Sequence, residues 1–179
     1  MSNLGIKEIK IPSNLNLKLN KDSLKISSNF GELIYKVKDE FILELTDKNS
    51  IKIYPKNKRL KNIKCLWGSQ YSLLKNNING LSKGYTKTLD LIGVGFKCRL
   101  DNNQLILKLG YSHEVSYQIS SDVVIKCPKQ DKITIFGINK QRVNEVISKI
   151  VLLKRTDPYK GKGILLENTK LRLKEGKKK

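Results

Sequence analysis

One pattern of apolar residues occurs twice along this chain, and that repeat restricts the fold to a duplicated unit. At an offset of 82 residues, Tyr35 falls on Tyr117, Val37 on Ile119, Phe41 on Val123, Leu43 on Ile125, Ile51 on Ile133 and Ile53 on Ile135. At an offset of 81, Leu19, Leu24 and Ile26 fall on Leu100, Leu105 and Leu107. The matching positions alternate, as one buried face of a strand requires. Two copies account for 179 residues better than one large domain does. Each copy is close to the smallest size that buries an adequate core.

Each copy reads as a run of strands followed by a helix. In the first, strands are predicted over 15–19 and 24–26, joined by a hairpin loop at Asn20-Lys21-Asp22-Ser23, and then over 33–37, 41–45 and 51–54. Ile63, Leu66, Trp67, Leu74 and Ile78 recur at helical spacing, and Gly80 is placed to stop that helix. In the second copy, strands are predicted over 89–100, 104–109, 115–119, 123–127 and 132–136, with a turn at Asp101-Asn102-Asn103. Val143, Val146, Ile147, Ile150 and Leu153 mark a helix face behind an Asn139 N-cap. Pro158 ends the helix near Thr156, because the residue before a proline avoids helical geometry. Both helix stripes, Trp67 included, read as core. The expected fold class is α+β, with tandem domains over 1–81 and 82–155. Each is a mostly antiparallel sheet packed with one main helix, and a basic C-terminal extension covers 156–179.

Charge indicates the partner. Lys and Arg number 36 against 16 Asp and Glu, a formal +20. Residues 1–80 hold 15 basic and 7 acidic side chains, and residues 81–179 hold 21 and 9. Such an excess fits nucleic-acid phosphates or an anionic membrane surface. No amphipathic segment concentrates it, and no apolar run is long enough to span a bilayer, so nucleic acid is favoured over membrane. Residues 1–11 carry neither a signal-peptide core nor a presequence pattern, so no export is expected.

Small-ligand and metal chemistry find little support. Cys65, Cys98 and Cys127 form no CxxC pair and one histidine, His113, cannot complete a zinc site, so neither metal nor cofactor is expected. Buried structural thiols in a reducing compartment are expected instead. Residues 91–96, Leu-Ile-Gly-Val-Gly-Phe, fail as a dinucleotide loop because Cys98 stands where the third glycine belongs and a strand follows. Glycines within a strand mark a bulge or a close backbone approach. Ser112 beside His113 makes no triad by adjacency, and no paired carboxylates suggest a hydrolase. An enzyme with a small-molecule substrate is not expected.

Beyond the second helix the composition shifts. Residues 154–179 hold 10 basic and 3 acidic side chains. In Lys160-Gly161-Lys162-Gly163 each cation is followed by a residue without a side chain, so bare backbone can approach phosphate while two ammonium groups reach its oxygens. Tyr159 can stack on a base, and Arg155 can fork onto phosphate.

The string Asp157-Pro158-Tyr159-Lys160-Gly161-Lys162-Gly163-Ile164 resembles the signature of the L-six family of large-subunit ribosomal proteins. Gly84-Tyr85, residues 91–96, Leu109-Gly110-Tyr111-Ser112-His113 and the ending 172–178 match the same family. The resemblance implies two similar domains bound to large-subunit rRNA near the sarcin–ricin loop. It also implies neighbouring ribosomal proteins at the stalk base and translation GTPases nearby, with no catalytic residue. It carries rRNA contact onto Tyr159, Lys160, Gly161, Lys162 and Gly163. Charge and position extend this to Lys154, Arg155, Lys170, Arg172, Lys174 and Lys177, with Gly93, Gly95, Ser112 and His113 as further candidates. A non-ribosomal architectural nucleic-acid-binding protein is the alternative. Only five of the basic residues are Arg, and Ile and Asn are abundant, as in an AT-rich gene. That usage points to an organellar ribosome, mitochondrial before plastid, or to a low-GC bacterium.

Overall fold

The computed structural model describes residues 5–20, 23–46, 50–57 and 62–176. The chain divides into two compact units, Met1–Gly84 and Tyr85–Lys179. The first holds β1 (Ile9–Lys10), β2 (Asn16–Leu19), β3 (Ser23–Ser28), β4 (Gly31–Lys36), β5 (Phe41–Thr46), β6 (Ser50–Pro55) and α1 (Ile63–Lys83). The second holds β7 (Tyr85–Ile92), β8 (Lys97–Asp101), β9 (Gln104–Lys108), β10 (Val115–Gln118), β11 (Val123–Lys129), β12 (Lys132–Gly137), α2 (Lys140–Leu153) and β13 (Gly163–Leu166). All strand pairs are antiparallel, so the class is α+β.

The duplication extends to cross-strand register. Leu24 faces Tyr35 in one unit and Leu105 faces Tyr117 in the other. Leu43 faces Ile53, and Ile125 faces Ile135. The sheets β1-β6-β5 and β2-β3-β4 correspond to β7-β12-β11 and β8-β9-β10. The change of offset from 81 to 82 has a structural cause. Ile26 pairs with Leu33 across a short β3–β4 turn, whereas Leu107 pairs with Val115 across a connection one residue longer. The extra residue falls in the loop that contains Ser112 and His113.

Each core sits where the repeat predicts. Leu24, Ile26, Ile51, Ile53, Leu74, Ile78 and Leu81 are buried in the first unit. In the second, Leu89, Leu105, Leu107, Leu109, Ile133, Ile135, Val143, Ile150 and Ile164 form one cluster. Trp67 is core, and its indole N–H donates to the Ile53 carbonyl at 2.7 Å. Tyr35 donates its hydroxyl hydrogen bond to the buried Gln70 Oε1, and burial pushes the phenol pKa up to about 12. The fold therefore holds the neutral phenol. This contribution to stability is lost as pH rises above the ordinary tyrosine value of about 10. Tyr35→Phe should cost about 1–2 kcal/mol by leaving Gln70 Oε1 without its donor, and should flatten stability between pH 10 and 12. Denaturant midpoints at pH 7 and pH 11 measure both effects.

Several local expectations change. α1 runs through the buried Gly80 to Lys83, because Leu81 continues the apolar stripe. Gly84 ends it at φ 72°, with its N–H on the Gly80 carbonyl. The unit boundary moves accordingly from 81/82 to 84/85. The strand predicted over 89–100 is two strands in different sheets, separated by a turn at 93–96 in which Phe96 N–H meets Gly93 O at 3.3 Å and Gly95 takes φ 75°. α2 keeps its Asn139 cap, which accepts from Gln141 N at 2.9 Å. It ends at Leu153, ahead of Thr156, because Lys154 turns extended and its carbonyl bonds Ile164 N. Residues 163–166 are therefore not an appendage. They form β13, the edge strand beside β7, and this fourth strand has no counterpart among the described residues of the first unit. The tip of the first predicted hairpin, Lys21-Asp22, lies outside the described residues. Cys65 is exposed, contrary to the expectation of buried thiols, because it lies on the solvent side of α1.

Candidate nucleic-acid interface

Between α2 and β13 the chain closes a loop on itself. Asp157 N–H donates to Lys162 O at 2.8 Å, and Gly161 N–H donates to Asp157 O at 2.9 Å. The Thr156 hydroxyl donates to Ile164 O at 3.1 Å. The Asp157 carboxylate accepts from the backbone N–H groups of Tyr159 and Lys160 at 3.0 and 3.3 Å. A carboxylate capturing amides one turn ahead fixes such a turn locally. That acidic group thus faces the loop's own backbone. Past β13, the chain turns at Asn168, which has φ 66°, and doubles back so that Lys174 N–H meets Pro158 O at 2.9 Å.

This construction gives the two glycines a different task from the one expected. Gly161 and Gly163 are buried, so bare backbone is not what they present outward. Gly161 takes φ 69° under Leu171 and Leu173. Gly163 has φ 149°, and a Cβ there would lie 2.6 Å from Thr156 Cα. The glycines shape the turn, and the exposed side chains of Tyr159, Lys160 and Lys162 are what it displays. Arg155, Lys170, Arg172 and Lys174 are exposed as well, and none of these cations is in an ion pair among the described residues. Glu167 is engaged elsewhere, 3.3 Å from Lys132, and this hydrogen bond lowers its carboxyl pKa. Lys177 lies outside the described residues.

The β9–β10 loop joins this site. Tyr111 donates its hydroxyl to the Leu153 carbonyl at 3.0 Å, and Lys154 Nζ lies 4.2 Å from the centre of its ring. His113 stacks on Tyr111 with ring centroids 6.5 Å apart. Gly110, at φ 73°, lies against the Phe96 ring, which also packs on Gly93. Gly93, Gly95, Ser112 and His113 therefore gather at the end of β7 where β13 begins, since Ile92 pairs with Gly163. Among the described residues Ser112 makes no hydrogen bond to His113. Tyr111, the residue that ties this loop to the basic segment, belongs to the Leu109–His113 motif but is not among the contact residues expected from the sequence. Its aromatic ring next to Gly110 was the available signal. Val94 is 89% exposed at the tip of the neighbouring turn.

Cys98 and Cys127 come together from separate strands. The Cys98 thiol lies 3.5 Å from the Lys129 carbonyl and 3.7 Å from the Lys132 carbonyl, and the neighbouring Cys127 thiol together with burial raises its pKa. No group of three or more His, Cys, Asp or Glu that could hold a metal occurs among the described residues. No described helix is long and apolar enough to cross a membrane.

These features define a duplicated α+β protein whose second unit carries a preformed basic loop, suited to a polyanion. Residues 92–166, from the end of β7 to the end of β13, match the family Ribosomal protein L6. The chain is 39% identical over 185 residues to the large ribosomal subunit protein uL6m of Reclinomonas americana, covering 100% of both chains. It is 36% identical to uL6 of Bartonella bacilliformis, again over 100% of each, and 38% identical to uL6 of Hydrogenobaculum sp., over 99% of this chain and 96% of that one. The chain belongs to the ribosomal protein L6 family.

Proposed function

We propose that this chain is a structural protein of the large ribosomal subunit and that its second unit binds large-subunit rRNA near the sarcin–ricin loop and stalk base. Neighbouring ribosomal proteins adjoin it there, and translation GTPases dock close by. The observation that carries this reading is the closed loop 154–164, which turns its glycines and carboxylate inward and Tyr159, Lys160 and Lys162 outward. Arg155, Lys154 and the returning Lys170, Arg172 and Lys174 widen the basic surface, and Ser112 and His113 border it. Cations without carboxylate partners displace counterions from a phosphate chain, so affinity falls with salt. Five such contacts give a fall of roughly 4 in log K per tenfold rise in salt. The role is architectural. The similarity to uL6m alongside bacterial uL6 proteins fits an organellar or bacterial ribosome, and codon-biased composition inclines the reading to mitochondria.

Sedimentation of the tagged protein from native lysate, with sequencing of crosslinked RNA, tests this. The expected result is co-migration with the large subunit and crosslinks beside the sarcin–ricin loop. Protein that runs free at low salt, or spreads over DNA, would overturn the reading.

A further inference from the structure

The solvent face of sheet β8-β9-β10 carries two lysines directly opposite each other, Lys97 on β8 and Lys108 on β9. Like charges in that position destabilise a ladder unless something lies between them. The carboxylate on the rim of the cavity beside them, Glu114, is held by Arg99 at 2.9 Å and forms no ion pair with either lysine. Neither lysine is in an ion pair among the described residues. Beside them lies an open cavity of about 380 Å³, bordered by Lys97, Lys108, Arg99, Gln130 and Glu114. Its far wall is fixed, because the Cys98 N–H donates to Gln130 O at 2.7 Å.

We infer that this cavity takes a phosphate group of an RNA backbone, with the two ammonium groups on its oxygens. The inference rests on the rRNA-binding reading and extends it to a second surface. The position supports RNA over other anions. Lys97 follows Phe96 and Lys108 precedes Leu109-Gly110, so the pair borders the two turns already gathered at the basic loop. A strand lying on that loop meets Lys97 and Lys108 next. The lysines thus act on the ligand, and the fold tolerates their repulsion in its absence.

The test is the double variant Lys97→Gln with Lys108→Gln in the full chain, measured two ways. Denaturant unfolding should show a midpoint equal to or above that of the unsubstituted protein, since a repulsion is relieved. A salt titration of binding to an rRNA fragment bearing the sarcin–ricin loop should show a log–log slope smaller by about 2. Lys149→Gln, on the solvent side of α2 beside Glu145, should leave the slope unchanged. A lowered unfolding midpoint would make the lysines structural and overturn the inference, as would an unchanged slope. If the unsubstituted protein fails to bind the fragment at all, the rRNA reading itself falls, which is a separate result.

Discussion

Gly163→Ala should lower the stability of the second unit by about 3 kcal/mol and abolish high-affinity RNA binding. The position combines a φ of 149° with backbone on the side where Cβ would stand, 2.6 Å from Thr156 Cα and 2.8 Å from Arg155 O. A strained backbone costs about 1–3 kcal/mol and overpacking a similar amount. Neither contact can be relieved by turning a side chain. Arg155 and Thr156 are pinned between the Lys154–Ile164 backbone bond and the Thr156 hydroxyl bond to Ile164. Gly95→Ala is the control. It also has positive φ, at 75°, but nothing lies within 4 Å, so only the left-handed cost of about 1–2 kcal/mol applies. Hydrogen exchange at the 163–166 amides, with equilibrium unfolding, reads both variants. Equal stability in the two would refute the close approach.

Lys160→Ala with Lys162→Ala should do the reverse, leaving stability within about 0.5 kcal/mol while flattening the salt slope of rRNA binding by about 2. Both side chains are exposed and outside any ion pair among the described residues, so folding loses nothing specific. The pair of experiments separates two ways in which this loop could fail. One removes its shape, and the other removes its charge and keeps the shape. An unchanged slope in the lysine variant would end the phosphate role of the loop.

Most strands along the chain and the core were legible because a period of two marks a buried strand face and the repeat checked assignments against their copies. The two-residue β1 and the order of strands within each sheet were not. Tyr35 with Tyr117 and Leu43 with Ile125 mark positions that proved to occupy matching registers. The end of α1 was misplaced because glycine punctuation is ambiguous until burial is known. Gly80 lies inward on a helix that continues, and Gly84 has the left-handed φ. β13 went unread because nothing in the first copy corresponds to it, and four residues offer little periodicity. The basic residues of 154–174 were visible as composition. Their arrangement was not, since it depends on Asp157 binding amides and on Lys174 reaching Pro158. The Lys97–Lys108 pairing required a register that charge counts do not contain.

The β7–β13 pairing joins Ile92 to Gly163, so the last strand of this sheet closes onto one made much earlier in synthesis. Contacts this distant in sequence form late. A nascent chain that has emerged only as far as α2 holds most of its core but lacks its sheet edge, and so lacks the closed loop beside it. Completion of the fold and presentation of the basic surface are therefore one event. A chain that ends before β13 is thus expected to lack the closed loop whose exposed cations the proposed rRNA contact uses.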